Sequence, residues 1–167
     1  MRELTREKPT AADLRKIWKT AKREDGSLEI VDYRGTESEV VVPDRIGRSV
    51  VTSIGIRAFS PAKVDLTPEN RTARKSLSHV VFPETLTEIG GAAFEGCSQL
   101  THLSIPVDVK EIGSNAFKDC RALADLTLPD SVARIGPDAF SGTAWHKNQP
   151  DGGIYFKNML LLWKGEV

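Results

Sequence analysis

The sequence predicts a β-rich α/β fold: a short right-handed solenoid, capped by a helix and hairpin at its N-terminal end and by a hairpin at its C-terminal end. Phe94, Phe117 and Phe140 are spaced 23 residues apart. The same step separates three further sets: Pro83, Pro106 and Pro129; Ile89, Ile112 and Ile135; and the glycine after each of these isoleucines. One such unit cannot bury its apolar face, whereas about three stacked units can, so the repeat favours a solenoid.

The unit that begins at Leu100 indicates what each coil contains. Leu100, Leu103 and Ile105 follow the pattern L-x-x-L-x-L, and the alternation at 103 and 105 is typical of a strand. Pro106 has no N–H group and ends the strand. Gly113 stands at a corner, where we expect a positive φ. The pattern therefore predicts one strand per coil.

Together these positions give the pattern L-x-x-L-x-I-P-x-x-V-x-x-I-G-x-x-A-F-x-x-C, which resembles the BspA-like leucine-rich repeat family. The units that start at Leu77, Leu100 and Leu123 match it closely, and a weaker, interrupted match extends over residues 28–165. The resemblance implies a leucine-rich-repeat solenoid, found in bacterial and often surface-associated binding proteins. It implies no enzymatic activity.

The chain divides into three predicted regions. Residues 1–27 form an N-terminal tail with a capping helix and turn, residues 28–143 form the solenoid, and residues 144–167 form a C-terminal capping hairpin. An insertion at about residues 61–76 interrupts the solenoid.

In the N-terminal region, polar residues 1–9 are expected to fray. Thr10, followed by Asp13 three residues on, resembles a capping box and predicts a helix over about 11–18. We expect this helix to cover the open end of the solenoid, although its basic outer face also suits a membrane surface or an acidic partner. Residues 24–27 predict a tight turn before a strand at Leu28–Tyr33.

The first repeat strand, at residues 40–42, is followed by a short insertion. The step from Pro43 to Ile54 is five residues longer than the step from Pro83 to Ile89. We expect residues 45–48 to form a protruding turn.

The second insertion adds twelve residues between Phe59 and Leu77. Thr67, followed by a proline, is typical of an N-cap with proline at the first helical position, and it predicts a helix over about 68–75. Because insertions in repeat proteins often carry binding, its basic residues are candidate binding residues: Arg71, Arg74 and Lys75. The alternative is a neutral surface decoration.

The outward-facing residues of successive strands also form candidate binding residues. Neighbouring strands lie about 4.8 Å apart, so equivalent residues stack into columns. We expect two columns on the concave strand face: His79, His102 and Asp125, beside Val81, Ser104 and Thr127. Two imidazoles and a carboxylate suit a transition metal or a switch that titrates between about pH 5 and 8. The alternative is a solvated strand face.

Cys97 and Cys120 occupy one repeat position in successive coils. Neighbouring coils lie one strand spacing apart, which is close enough for a disulfide bond between their cysteines. We nevertheless expect two buried thiols stacked in the core. Their separation does not suit a zinc site, which needs paired cysteines about two to four residues apart.

Composition limits the classes of function. The formal net charge is zero, which argues against nucleic acid, and there is no apolar run of about 18 residues for a membrane span. The first residues lack the apolar segment of a signal peptide. We expect a cytoplasmic protein as the sequence stands, or a cell-surface or secreted one if the parent chain is longer.

These observations favour a non-enzymatic protein-binding or adhesion module, monomeric rather than an obligate oligomer and without a cofactor. The alternatives are a purely structural repeat segment or spacer of a longer protein, and a metal-dependent enzyme. A contiguous apolar patch on one face would favour a binding module, and a deep pocket with perturbed titratable groups would favour an enzyme.

Overall fold

The structure, a computed structural model, describes residues 8–157 and 159–164, the last six by their backbone alone. The predicted fraying falls mostly on residues 1–7, outside the described residues. In chain order the elements are α1 (Ala11–Ile17), β1 (Trp18–Lys22), β2 (Leu28–Tyr33), β3 (Glu39–Val41), β4 (Arg45–Ile46), β5 (Ser49–Ile54), α2 (Pro68–Lys75), β6 (His79–Val81), β7 (Glu88–Ile89), β8 (His102–Ser104), β9 (Glu111–Ile112), β10 (Asp125–Thr127), β11 (Arg134–Ile135), α3 (Ala144–Lys147), β12 (Gly152–Phe156) and β13 (Met159–Lys164).

Two sheets run along the stacked coils. Strands in the order β10-β8-β6-β3 form a parallel sheet, and β1-β2-β5-β7-β9-β11 form a second sheet that is parallel from β2 onward. Each coil from Leu77 on therefore has two short strands. The prediction of one strand per coil is wrong, because each I-G segment also runs beside its copy in the next coil and pairs its backbone groups there.

The N-terminal helix begins at the predicted capping box. The Thr10 hydroxyl accepts a hydrogen bond from the Asp13 amide at 3.1 Å, and the Asp13 carboxylate accepts one from the Thr10 amide at 3.1 Å. The helix ends at Ile17, one residue before the predicted end. Trp18 instead opens β1 and is buried, with its ring centroid 5.0 Å from that of Tyr33. Burying the Trp18 ring in the core outweighs the helical pattern that predicted Trp18 as part of the helix.

A column of aromatic rings runs through the core. Its members in order are Trp18, Tyr33, Phe59, Phe94, Phe117, Phe140 and Trp145. The Phe94 and Phe117 centroids lie 5.3 Å apart, and those of Phe117 and Phe140 lie 5.7 Å apart, with nearly parallel planes. The 23-residue spacing of these phenylalanines thus corresponds to one ring per coil, stacked on the ring of the next coil.

The glycines after the isoleucines serve close packing between coils. Gly113 does not have the predicted positive φ. A Cβ atom there would lie 2.5 Å from the amide nitrogen of Gly91, well inside van der Waals contact. The positive φ falls two residues later in each coil, at Ala92, Asn115 and Asp138. The glycine is needed because the backbones of neighbouring coils meet there.

Both cysteines are buried free thiols, as expected. The Cys97 thiol donates to the carbonyl of Phe59 at 3.4 Å, and the Cys120 thiol donates to that of Phe94 at 3.1 Å. Burial raises the pKa of Cys97 to about 12 and raises the pKa of Cys120 well above its usual value. The thiols therefore act as core residues that tie one coil to the preceding one.

Both insertions take the predicted local structure. Strands β4 and β5 pair antiparallel around Gly47, which has a φ of 65°. Helix α2 spans residues 68–75, and its N-cap Thr67 accepts a hydrogen bond from the Asn70 amide at 3.1 Å. None of the described helices is long and apolar enough to cross a membrane.

The C-terminal strands β12 and β13 form the predicted hairpin. Ile154 of β12 is buried in the core, whereas Tyr155 is 61% exposed and so covers little of the last coil. The short helix α3 was not predicted. It begins after Thr143, which stands where the earlier units have cysteine and whose hydroxyl accepts a hydrogen bond from the His146 amide at 3.0 Å.

Candidate binding face

The outward side chains of the β10-β8-β6-β3 sheet make up the strand face. Its members are Glu39, Val41, His79, Val81, His102, Ser104, Asp125 and Thr127. The alternate residues Val40, Val80 and Leu103 point into the core and are buried. Period-two alternation therefore places all six predicted strand residues on one face.

Glu39 extends the first column by one strand. It pairs with His79, which pairs with His102, which pairs with Asp125. The step from Glu39 to His79 is 40 residues, the 23-residue repeat plus insertions of five and twelve residues. Sequence reasoning missed Glu39, although adding the two insertions to the repeat would have found it.

The two histidines stack along the column. Their ring centroids lie 5.8 Å apart with the planes 10° from parallel. His102 Nδ1 lies 3.9 Å from Asp125 Oδ2, which is too long for a hydrogen bond. Both side chains are largely exposed, so any attraction between a protonated His102 and Asp125 stabilises the fold by less than about 1 kcal/mol.

This geometry does not support the metal hypothesis. In the part of the chain that the structure describes, no group of three or more histidine, cysteine or carboxylate side chains is placed to hold a metal ion. The imidazoles of His79 and His102 lie face to face, so their nitrogens do not converge on one point. The suggested metal site on the column is therefore withdrawn.

The second column begins with two exposed valines. Val41 and Val81 are direct partners on neighbouring parallel strands, and they are 70% and 43% exposed. Beside them is a depression of about 210 Å³ whose lining includes His79, His102 and Pro106. The strand face thus combines an apolar pair, a shallow concavity and flanking polar groups.

Arg74 lies inside the molecule, which corrects its assignment as a surface binding residue. Its side chain is fully buried. The guanidinium donates to the carbonyls of Tyr33 at 2.7 Å and Ser60 at 3.0 Å, and it forms an ion pair with Asp32. Arg74 therefore fastens the inserted helix α2 to the first coils and cannot contact a partner.

Asp32 is the counter-ion at the centre of this network. Its carboxylate also accepts a hydrogen bond from Lys63 at 3.1 Å and lies 3.5 Å from Arg34. Burial opposes the charge, but the hydrogen bonds and positive charges of Arg74 and Lys63 outweigh it and lower the pKa of Asp32 below its usual value. The network is a structural clamp on the insertion.

The other two basic residues of α2 differ from Arg74. Arg71 is half-buried and donates to the carbonyl of Pro61, so it also holds the insertion in place. Lys75, at the last position of the helix, is exposed. Of the three predicted residues, Lys75 is the one whose charge is directed to solvent.

The repeat region matches a known family. Residues 68–149 match a family model described as a BspA type leucine rich repeat region (6 copies). This part of the chain is a BspA-type leucine-rich repeat region. The match begins at the first residue of α2 and ends after α3, so both lie within it. No curated protein matches the sequence.

Two solved structures are similar to this chain. A leucine-rich repeat protein from T. pallidum is 27% identical with a TM-score of 0.59, over 81% of this chain and 67% of that one. A leucine-rich repeat protein from Bacteroides capillosus is 21% identical with a TM-score of 0.62, over 76% of this chain and 88% of that one. The second similarity concerns the fold alone.

Proposed function

We propose that this leucine-rich repeat chain is a non-enzymatic protein-binding module whose binding surface is the strand face. The observation that carries the proposal is the exposed pair Val41 and Val81, held side by side on paired strands. Exposed apolar side chains rimmed by polar ones are typical of protein interaction sites. His79, His102 and Asp125 provide that rim.

The rigidity of the face supports the same function. Its strands belong to coils whose inward residues join one continuous core. A preformed surface loses little conformational entropy when a partner binds. The alternative function, a structural spacer within a longer protein, requires no apolar pair on this face.

A displayed peptide library tests the proposal. Random peptides on phage would be selected on the wild-type protein and then measured against Val81→Asp and Ile56→Asp. Ile56 is a matched control because it is 72% exposed and lies outside the strand face. We expect selected peptides to bind the control as tightly as wild type and to lose about tenfold or more on Val81→Asp.

Two outcomes would contradict the proposal: selection that enriches no peptide, which favours the spacer, and peptides that bind Val81→Asp at full strength. If circular dichroism shows that Val81→Asp is unfolded, His102→Glu serves as the second variant of the strand face.

A further inference from the structure

An open polar groove of about 680 Å³ lies beside the C-terminal end of α2 and the loops that precede the repeat strands. Its lining includes Lys75, Ser76, Ser78, Ser98, Asp119 and Arg121. Among these residues, only Lys75 is a candidate binding residue predicted from the sequence. The remaining five come together because the insertion and two successive coils meet at this point.

The two cations of the groove are positioned by buried neighbours. Lys75 follows Arg74, and Arg121 follows Cys120, and both of these preceding side chains are fully buried. The Arg74 hydrogen bonds and the Cys120 thiol contact fix the backbone directly before each cation. The positive charges therefore project from two fixed points, the last residue of α2 and a turn between two coils.

Neither cation is neutralised inside the molecule. Lys75 and Arg121 are both exposed, and within the described residues no ion pair or side-chain hydrogen bond involves either of them. Other basic residues, such as Arg23 and Arg134, are paired with glutamates at 2.8 Å and 2.9 Å. The groove thus has local positive charge on a chain whose formal net charge is zero.

We propose that this polar groove binds an acidic peptide segment of a partner protein. The Arg121 guanidinium matches a carboxylate with two parallel hydrogen bonds, and Lys75 supplies a second charge-assisted donor. The Ser98 hydroxyl can donate to and accept from peptide main-chain groups. The hydroxyls of Ser76 and Ser78 donate to the carbonyls of Thr72 and Ser38, so they can accept from a peptide N–H. Asp119 would accept a main-chain N–H of the same segment.

The same lining disfavours a sulfated saccharide. None of the side chains that line the groove is aromatic, so no sugar ring can stack on one. The groove and the strand face share no lining residue. Either site can therefore fail its own test without affecting the other.

Fluorescence anisotropy with three labelled probes tests the groove: a hexa-aspartate peptide, a hexa-asparagine peptide and a heparin hexasaccharide. The groove variant carries Lys75→Glu and Arg121→Glu. The control variant carries Arg48→Glu and Lys110→Glu, which are exposed cations outside the groove and make the same change in net charge. We expect wild type to bind hexa-aspartate about tenfold or more tighter than hexa-asparagine, the groove variant to lose that preference, and the control to keep it within about twofold.

Three results would overturn the proposal. The first is equal affinity of wild type for hexa-aspartate and hexa-asparagine. The second is that the control variant loses the preference for hexa-aspartate as completely as the groove variant. The third is heparin binding that is about tenfold tighter than peptide binding and is lost in the groove variant. Thermal melting checks that each variant is folded. Lys75→Gln with Arg121→Gln, which removes the charges without reversing them, replaces the glutamate variant if that one unfolds.

Discussion

At the scale of single residues, two adjacent glycines have different tasks. A Cβ atom on Gly90 would lie 2.8 Å from the carbonyl oxygen of Ile54, whereas one on Gly91 would lie 3.5 Å from that of Ser114. The first distance is a backbone clash with the preceding coil, and the second is an ordinary contact. The coil spacing of the solenoid therefore depends on the absence of a side chain at the first position only.

Gly90→Ala and Gly91→Ala form a matched pair that tests this difference. We expect Gly90→Ala to lower the free energy of unfolding by about 2 kcal/mol, because the coils must move apart. Gly91→Ala should change the free energy of unfolding by no more than about 1 kcal/mol. We expect an increase, because alanine lowers the conformational entropy of the unfolded chain. Urea denaturation measures both, and equal midpoints for the two variants would show that the coils do not meet as described.

Asp32 also acts at this scale, through its charge. Its pKa is lower in the folded protein than in the unfolded chain, so its contribution to stability is present above the unfolded pKa of about 3.9 and is lost as the pH falls through the folded pKa. We expect Asp32→Asn to cost about 3 kcal/mol at pH 7, because it leaves the buried Arg74 without a counter-ion.

Urea midpoints of wild type and Asp32→Asn at pH 7, 5, 4 and 3 check the sign. The difference in unfolding free energy between the two proteins should narrow below about pH 4, because the unfolded wild-type chain binds a proton at this carboxylate before the folded protein does. A difference that stays constant over this range would mean that the ion pair contributes nothing. Asp44→Asn, at an exposed carboxylate, is the control and should match wild type throughout.

At the scale of elements, stability comes from the aromatic column and from the clamp on α2. In the column, the phenylalanine of each coil stacks on the phenylalanine of the next coil, so each ring buries one face of its neighbour. The clamp holds the insertion through buried hydrogen bonds of Arg74, next to the buried side chain of Ala73. Repeat packing and insertion anchoring are therefore chemically distinct.

Phe117→Ala tests the column at its centre. We expect a loss of about 3–5 kcal/mol in the free energy of unfolding, because the ring is fully buried between two others and leaves a cavity. Phe156→Ala, at a half-buried ring of β12, is the control and should cost clearly less. An unchanged denaturation midpoint for Phe117→Ala would contradict the repeat register.

At the scale of the whole molecule, the last coil is in contact with the C-terminal hairpin. Ile154 of this hairpin is buried in the core, Phe156 packs against it, and Lys157 donates to the carbonyl of Val132 at 3.2 Å. The outer edges of β10 and β11 are the ends of their sheets. We propose that the hairpin caps this end, because an uncovered strand edge favours association with other chains.

Deleting residues 146–167 tests the cap. We expect the shortened chain to lose stability and to associate, seen as a higher mass by light scattering. A monomer as stable as the full chain would contradict the capping role.

The sequence by itself determined the features that depend on local pattern and on the repeat. The 23-residue step identified the phenylalanine column and the strand face, the Thr10 capping box located α1, and the Thr67-Pro68 pair located α2. These predictions succeeded because each unit repeats the same environment, so spacing alone assigns a residue to the core or the surface.

Only the tertiary structure decided the features that depend on how the coils meet. The ion pair of Arg74 with Asp32 joins residues 42 positions apart across an insertion, where the repeat register no longer predicts neighbours. The polar groove likewise needs α2 placed against two later coils. Periodicity gives the position of a residue within its own repeat unit. Distances between units decide the remaining features: the burial of Arg74, the close approach of backbones at the glycines, and the grouping of Lys75 with Arg121.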